Sequence, residues 1–422
     1  MTIPPATTLN CLFLDINSYF ASVEQQLNPA LRGKPVIVVP VMSEHTCAIA
    51  ASVEAKRFGI STGTPVPEAR KRCPQLRIAY ASHERYTRIH ASIVKAVEQH
   101  LPITTVASID EMHCRLIGDE REEARALALA RHIKMALQTE VGALITCSIG
   151  IAANPLLAKI ASDMHKPDGL VVLRPETLPG PLLSLALRDI PGIGRNMEQR
   201  LFKAGIYTME QLWNLPCPLV RRIWGGIQGE RFWYLLHGHE VSEQATATSS
   251  IGHSHVLDPI HRHPATAYLV TRRLLLKAAS RLRREGYLAG ALHLQVRCLE
   301  DGFELGARLA HTQDNETFLV ALRQLWQHFL RHARPHAVRK TGVVLSGLRL
   351  PEQRQLSLFP DTQPSALRQK RQAALAHAMD HLNQRYGRNS VTYADLLPVT
   401  LARDISTKIA FNRVPDFEEF RA

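Results

Sequence analysis

The chain has 422 residues and a hydrophobic content of 45%, which suits two to four ordinary globular domains. Its apolar runs are too short to span a bilayer and its N-terminus lacks a signal-peptide pattern, so we expect a cytoplasmic protein. The seven cysteines are scattered without a C-x-x-C pair, which argues against structural disulfides and zinc sites.

The formal net charge of +13 is concentrated in one part of the chain. Residues 251–350 carry 15 Lys and Arg against 7 Asp and Glu, an excess of 8. A concentrated basic surface is typical of proteins that bind a phosphate backbone, because each neutralised phosphate releases counterions. Basic surfaces also serve solubility, so both interpretations stay open on charge alone.

Two segments place carboxylates at the ends of predicted strands. Asp15 ends the buried-strand pattern 11–14, and the adjacent pair Asp110 and Glu111 follows the extended run 103–106. Carboxylates in an open cleft are ligands for hard ions such as Mg²⁺, which substrate phosphates complete. Neighbours in a regular strand point to opposite faces, so the pair shares one site only where the backbone is irregular or the strand ends. The alternative is a solvated acidic turn.

The helix predicted next spans 18–28, because apolar residues recur there at helical spacing. Phe20 lies beside that apolar stripe, either in the core or at the rim of a metal site. Residues 30–79 are predicted to form a small inserted subdomain, with a strand over 36–39 and a helix over 50–58.

Helices are predicted over 84–100 and 120–139, followed by a strand over 143–150. An Asn-Pro pair then opens a helix that carries Lys159 and, at its end, Lys166. Seven residues apart, the two lysines are predicted to share a helix face. That face is either a phosphate grip or a solvated basic stripe.

Residues 176–245 are predicted to be all-helical. The loop containing Gly192 and Gly194 leads into a helix from Arg195, the pattern of a helix-hairpin-helix. In that motif, glycines let backbone N–H groups and a helix N-terminus approach a phosphate. A tight turn between packed helices is the alternative.

Residues 251–350 show the alternating order β-α-β-β-α-β, a split βαβ sandwich with one sheet face free for DNA. The predicted elements are strand 250–257, helix 264–285, strands 290–299 and 302–310, helix 315–333 and strand 340–348. The short motif 355–359 (QLSLF), a helix over 365–386 and an irregular tail complete the chain.

Taken together, these segments resemble the Y-family translesion DNA polymerases of the bacterial polymerase IV and polymerase V type. The resemblance covers about residues 10–360 and rests on several motifs in the family's order. The matching motifs are DINSYFASVE (15–24), EAKRFG (54–59), SIDE (108–111), GIA (150–152), AKIASD (158–163), KPDG (166–169) and IPGIG (190–194).

The resemblance implies a right-hand polymerase of α/β and α+β domains. The implied domains are a palm (1–29 and 80–175), small fingers (30–79), a helical thumb with a helix-hairpin-helix (176–245), a βαββαβ little finger (250–350) and a C-terminal tail (351–422). The implied activity is template-directed addition of deoxynucleotides to a primer, opposite damaged or undamaged template.

By position, the resemblance implies that Asp15, Asp110 and Glu111 are catalytic and bind two Mg²⁺ ions together with the carbonyl of Ile16. Phe20 falls at the steric gate, the aromatic residue that collides with a ribose 2′-hydroxyl. The implied triphosphate contacts are Lys56 and Lys166.

The remaining implied contacts are with macromolecules. The implied primer-template contacts are Gly192, Gly194 and Arg195. The motif 355–359 resembles the peptide by which bacterial polymerases dock on the sliding clamp, and its implied contact residues are Gln355, Leu356, Leu358 and Phe359. Accessory mutagenesis proteins are further expected partners. A short edge strand packed on the sheet is the alternative for the motif.

The chain departs from the family pattern near the nucleotide. Val53 and Lys56 stand where polymerase IV relatives usually have tyrosine and arginine, and Asn17 and Ser18 replace common acidic and aromatic neighbours. Lysine is a point charge without the bidentate fork of arginine. These departures predict altered nucleotide contacts and lean toward the polymerase V type.

Two other functions compete with a polymerase. A catalytically silent relative that serves as a DNA- and clamp-binding scaffold is expected to have lost acids at the metal site, whereas all three are present. A palm-type nucleotide cyclase also uses paired acids, but it has no need of a helix-hairpin-helix or a basic sheet domain.

Overall fold

The computed structural model describes residues 5–40, 44, 46–242, 248–298, 301–333, 337–353, 366–387 and 389–397, of which 366–370 are described as backbone only. The described residues form two compact units, one up to residue 242 and the other from residue 248 onward. No helix in this part of the chain is long and apolar enough to cross a membrane.

The first unit is organised around a sheet of order β5-β6-β1-β7-β8. Its strands are β1 (Cys11–Ile16), β5 (Ile103–Val106), β6 (Glu111–Arg115), β7 (Cys147–Ala152) and β8 (Leu170–Val172). Neighbours are antiparallel except for the parallel pair β7 and β8. Every residue of β1 and β7 is buried, because the core continues on both faces of the sheet.

Three helices, α1 (Tyr19–Leu27), α4 (His83–Glu98) and α5 (Glu123–Ala136), share the apolar core on one face of this sheet, and α6 (Pro155–Met164) packs on the other face. Helix α6 begins after Asn154, whose side-chain oxygen accepts the Leu157 N–H at 3.0 Å. It packs very closely on β7, since a Cβ at Gly150 would lie 2.0 Å from the Ala158 carbonyl oxygen. Glycine at this position therefore brings α6 down onto the sheet.

A smaller sheet of order β3-β2-β4 lies within residues 30–79. Its elements are β2 (Val36–Val39), β3 (Ala50–Ala51), α2 (Val53–Lys56), α3 (Val66–Arg72) and β4 (Arg77–Tyr80). The predicted helix over 50–58 was wrong at its start, because Ala50 and Ala51 pair with β2. Helix α2 begins only after Ser52, whose hydroxyl accepts the Ala55 N–H at 3.2 Å.

Two other predicted boundaries differ from the structure. The strand predicted over 143–150 begins only at Cys147, because a turn closed by the Ile145 N–H on the Gly142 carbonyl precedes it. The helix predicted over 120–139 is regular over Glu123–Ala136 and continues as one wider π turn.

The rest of the first unit is helical, as predicted. Its helices are α7 (Arg195–Lys203), α8 (Met209–Trp213), α9 (Cys217–Trp224) and α10 (Ile227–Leu236). They share one apolar core with α6 and with one face of the main sheet. This shared core fixes the helices against the sheet that carries the acidic residues.

The second unit confirms the predicted β-α-β-β-α-β order. Its elements are β9 (Ser250–Val256), α11 (Pro264–Arg284), β10 (Ala289–Arg297), β11 (Gly302–Thr312), α12 (Asn315–Ala333) and β12 (Lys340–Ser346). The antiparallel sheet has the order β11-β10-β12-β9, and both helices pack on one of its faces. The other face carries exposed Arg297, Arg308 and Lys340.

Much of the basic excess of this unit lies on helix α11 rather than on the open sheet face. The helix contributes Arg272, Arg273, Lys277, Arg281, Arg283 and Arg284. Part of the α11 surface is covered by α13 (Ala366–Tyr386) and by the segment that follows α13.

The segment from α13 onward is tied to the second unit by a buried ion pair. The Arg283 side chain is 2% exposed and reaches both carboxylate oxygens of Asp380, at 2.6 and 3.0 Å. Leu396 is buried in the core of this unit. The predicted helix over 365–386 is thus confirmed. The motif 355–359 lies outside the described residues.

Candidate active site

The three predicted carboxylates converge where β1 ends and β6 begins. Asp15 lies directly opposite Glu111 in the antiparallel pair, so their side chains share one face of the sheet. Asp110 precedes the first residue of β6, and its carbonyl accepts the Ile16 N–H at 2.9 Å. Asp110 and Glu111 can therefore face the same site, because strand β6 starts between them and Asp110 lies outside the regular strand.

A turn before β6 orients Asp110. The Ala107 and Ser108 N–H groups both donate to the Glu111 carbonyl, at 2.9 and 3.0 Å. The Ser108 hydroxyl donates to Asp110 Oδ1 at 2.5 Å. The short Ser-Ile-Asp-Glu sequence thus supplies both the turn and a hydrogen bond that holds one carboxylate.

Two lysines neutralise this acidic cluster. The Lys159 ammonium lies 2.7 Å from an Asp15 oxygen and 2.7 Å from a Glu111 oxygen. The Lys166 ammonium lies 2.7 Å from Asp15 and 2.7 Å from Asp163. Lys159 is therefore not part of a solvated stripe, and its contact with a phosphate stays a prediction. Helix α6 ends at Met164, so Lys166 is not on the same helix.

Burial and neighbouring charges shift the pKa values of the three carboxylates in different directions. Burial alone would raise the pKa of Asp15, but the Lys159 and Lys166 ammonium groups hold it below its usual value. Burial raises the pKa of Asp110, and the Asp15 carboxylate adds to the rise. Burial also raises the pKa of Glu111, with the two aspartates adding to it. Three carboxylates within electrostatic reach of one another favour a multivalent cation.

The chemistry of the donors fits a hard divalent ion. The oxygen-only set of three carboxylates matches the ligands of Mg²⁺, and sulfur and imidazole ligands are absent from it. No group of three or more His, Cys, Asp or Glu side chains among the described residues is already gathered around a metal position. Both lysines contact Asp15 Oδ2 and Lys159 also contacts Glu111 Oε1, so an ion that binds these two oxygens competes with Lys159.

Phe20, near the start of α1, packs one face of its ring on another aromatic residue. It is half-buried and stacks on Tyr86, with ring centroids 4.4 Å apart and an angle of 19° between the planes. The Tyr86 hydroxyl donates to the buried Glu24 carboxylate at 2.9 Å. The Tyr19 hydroxyl donates to the Tyr86 carbonyl at 2.6 Å. One face of Phe20 thus packs on the core, and its role at the rim of the metal site stays a prediction.

Lys56, at the end of α2, is electrostatically linked to the same site. Partial desolvation lowers its pKa, the positive charge of Lys166 lowers it further, and Asp15 opposes the change. Two cations of the predicted triphosphate group are thus close enough to repel each other. Such a pair favours an anionic ligand between them.

Asn17 departs from the family pattern in sequence, but its structural role was not predicted. Asn17 is buried, accepts the Asp168 N–H at 2.8 Å and donates to the Ser148 hydroxyl at 2.9 Å. It therefore joins the end of β1 to the turn that carries Lys166. A buried Asn can hold both a donor and an acceptor, whereas an ionised acid only accepts. The replacement of an acid by Asn at this position was therefore the sequence signal for a residue that both donates and accepts hydrogen bonds.

The predicted hairpin has the expected local geometry. Gly192 has a φ of +92°, which glycine adopts without strain, and the loop is closed by the Ile193 N–H on the Ile190 carbonyl. Helix α7 begins at Arg195, and Gly194 before it has no side chain to cap the first N–H groups. Gly194 and Arg195 are exposed, whereas Ile193 between the two glycines is buried.

Comparison with known proteins gives a consistent result. The impB/mucB/samB family model matches residues 14–163, and the model of that family's C-terminal domain matches residues 248–358. DNA polymerase IV of Moorella thermoacetica is 35% identical over 89% of this chain and 93% of its own length. DNA polymerase IV of Pelotomaculum thermopropionicum is 32% identical over 93% of this chain and 97% of its own. These names favour the polymerase IV type, against the lean toward polymerase V.

Solved structures of the same fold support the sequence relatives. A Y-family DNA polymerase chimera has a TM-score of 0.69 at 24% identity, over 81% of this chain and 99% of its own. An insertion ternary complex of Dbh DNA polymerase has a TM-score of 0.55 at 25% identity, with the same coverage. The fold is therefore that of a right-hand polymerase with a C-terminal little finger. The chain belongs to the Y family of translesion DNA polymerases, and it is a DNA-directed DNA polymerase that depends on divalent metal ions.

Proposed function

We propose that Asp15, Asp110, Glu111 and the carbonyl of Ile16 hold two Mg²⁺ ions in the polymerase reaction. The observation that carries this assignment is the pairing of Asp15 with Glu111 at the strand ends, with Asp110 immediately before the strand. Bound there, the ions supply a lowered pKa at the primer 3′-hydroxyl and stabilise charge on the α-phosphate as pyrophosphate leaves.

Phe20 is proposed to exclude ribonucleotides by collision with the 2′-hydroxyl. A gate of this kind works only if the ring cannot move aside. The stack on Tyr86 and the bond from Tyr86 to Glu24 supply that resistance. An aromatic pair of this geometry contributes about 0.5–1.5 kcal/mol beyond the area it buries.

Lys56 and Lys166 are proposed to bind the triphosphate of the incoming nucleotide. Their electrostatic coupling supports a shared anionic ligand. Lys166 contacts only Asp15 among the three carboxylates, whereas Lys159 contacts both Asp15 and Glu111. It is therefore the easier of the two site lysines to redirect toward a phosphate.

Primer-template DNA is proposed to contact Gly192, Gly194 and Arg195 in the hairpin. It is also proposed to contact the open sheet face of the little finger. Exposed N–H groups at the start of α7 suit a phosphate oxygen. The proposed domains are the palm (1–29 and 80–175), fingers (30–79), thumb (176–245), little finger (250–350) and tail (351–422). The proposed cellular location is the cytoplasm.

The tail is proposed to dock on the sliding clamp through Gln355, Leu356, Leu358 and Phe359. Burial of two large apolar side chains contributes roughly 1.5–3 kcal/mol each before the costs of association. That implies a weak and exchangeable contact. Accessory mutagenesis proteins are further proposed partners.

Primer extension by the purified chain alone, on undamaged and lesion-bearing templates, tests these assignments. We expect Asp110→Ala and Glu111→Ala to abolish incorporation while primer-template binding survives, because catalysis and DNA binding use different residues. The silent-scaffold alternative predicts no extension even by the wild-type chain. Near-normal extension by either variant would refute the metal-site assignment.

A further inference from the structure

Lys134 is a partly buried cation outside the proposed polymerase site. It lies near the end of α5, and its side chain is 16% exposed. Its ammonium donates to the carbonyl of Cys147 at 2.7 Å and to the carbonyls of Asp168 and Gly169 at 2.8 and 3.2 Å. An Asp168 carboxylate oxygen lies 2.6 Å away. One side chain thus gathers four oxygens, three of them from the backbone.

Three of these oxygens belong to the turn that carries Lys166, and the fourth is the carbonyl of Cys147 at the start of β7. The turn is unusually tight, since a Cβ at Gly169 would lie 2.0 Å from the His165 carbonyl oxygen. Asp168 has a φ of +60°, in the left-handed region that non-glycine residues seldom adopt. A turn of this kind keeps its shape only when its polar groups are held by other elements.

A second anchor holds the same turn from the opposite side. The Asp168 N–H donates to Asn17 at 2.8 Å, and the Gly169 N–H donates to the Ser148 hydroxyl at 3.2 Å. Asn17 is two residues beyond Asp15, and Ser148 is the register partner of Asp15 on β7. The N–H groups of the turn are therefore fixed to two neighbours of Asp15, while its carbonyl groups are fixed by Lys134.

We propose that Lys134 is a positioning residue for the incoming nucleotide, which acts by holding the 166–169 turn so that Lys166 reaches the triphosphate. This inference rests on the proposed contact between Lys166 and the triphosphate. An ammonium group suits the task because it has three donors and no acceptor. Its bonds to carbonyl oxygens are charge-assisted and therefore stronger than neutral ones.

The test is steady-state incorporation of one nucleotide by Lys134→Met, Lys166→Met and the double variant. Lys95→Met is the matched control, since Lys95 is exposed on α4. We expect Lys134→Met to raise KM for the nucleotide about 10-fold with kcat nearly unchanged, as loss of one charged hydrogen bond does. Primer-template affinity should stay at the wild-type value.

The double variant separates positioning from a merely structural role. If Lys134 acts through Lys166, the double variant has the KM of Lys166→Met alone, because the lost interaction is shared. A wild-type KM in Lys134→Met beside a raised KM in Lys166→Met overturns the inference and leaves the Lys166 assignment standing. Multiplied effects of the two changes overturn it as well. An unchanged KM in Lys166→Met refutes the proposed triphosphate contact itself.

A milder variant covers the case in which Lys134→Met fails to fold. Asp168→Gly removes only the carboxylate partner of Lys134, and glycine accepts the φ of +60° without strain. We expect KM to rise about 3-fold, as a smaller share of the same charged contact is lost. A wild-type KM in Asp168→Gly would then overturn the inference.

Discussion

Replacement of Lys159 by methionine tests how the acidic cluster is stabilised before any metal binds. The Lys159 ammonium bridges Asp15 and Glu111 at 2.7 Å each, and the three side chains are 17%, 6% and 29% exposed. Removal of one partner from a buried ion pair typically costs about 3–5 kcal/mol, because the remaining charge has no partner. Asp15 keeps Lys166 and Glu111 is partly solvated, so we expect a loss of about 2 kcal/mol.

The assay is thermal unfolding of the metal-free full chain at neutral pH, repeated over a Mg²⁺ titration. A loss of about 2 kcal/mol lowers the midpoint of a unit of this size by roughly 4–8 °C. Added Mg²⁺ should recover more of the midpoint in Lys159→Met than in the wild type, because the ion no longer competes with an ammonium group. The control Lys95→Met should change stability by less than about 0.5 kcal/mol.

Two results would refute this reasoning. An unchanged midpoint in metal-free Lys159→Met would mean that Lys159 is not the counter-ion of Asp15 and Glu111. An equal Mg²⁺ response in the variant and the wild type would mean that the ion and Lys159 do not share the same oxygens.

Three further predictions concern other parts of the chain. Phe20→Ala should raise the ratio of ribonucleotide to deoxynucleotide insertion by at least about 10-fold in single-nucleotide assays, since the ring no longer meets the 2′-hydroxyl; an unchanged ratio in a folded variant makes Phe20 a core residue only. Asp380→Ala should destabilise the second unit by about 2 kcal/mol in urea unfolding, because it leaves the buried Arg283 guanidinium without its carboxylate; wild-type stability would show that α13 is not held by this pair. Leu358→Ala combined with Phe359→Ala should remove clamp binding, measured by surface plasmon resonance, and clamp-stimulated synthesis, measured by primer extension. Unassisted extension should stay unchanged. A markedly lower melting temperature of the double variant would instead mean that the segment is structural.

The elements of the second unit were predictable because their signals are local. Strands β10 and β11 alternate between more and less buried residues, and the two helices carry long apolar stripes between clear stops. The helix over 50–58 failed for the opposite reason. Whether Ala50 and Ala51 join a helix or a strand depends on their pairing with β2, which is distant in sequence.

The acidic residues of the site were predictable, but their partners were not. Asp15, Asp110 and Glu111 follow from strand-end positions and from the family motifs. That Lys159 contacts two of them depends on the close packing of α6 on β7 at Gly150, which no spacing within α6 reveals. The pair Arg283 and Asp380 is likewise 97 residues apart in the chain. Contacts between distant elements have no local sequence signal.

A crystal structure of the chain with primer-template DNA, a non-hydrolysable deoxynucleoside triphosphate and Mn²⁺ tests the metal-site assignment most directly. Anomalous scattering locates Mn²⁺ independently of the protein coordinates. We predict two anomalous peaks, both coordinated by carboxylates from the set Asp15, Asp110 and Glu111, with the Lys159 ammonium moved off at least one of these oxygens. Manganese peaks elsewhere, or none beside these three carboxylates, would contradict the account.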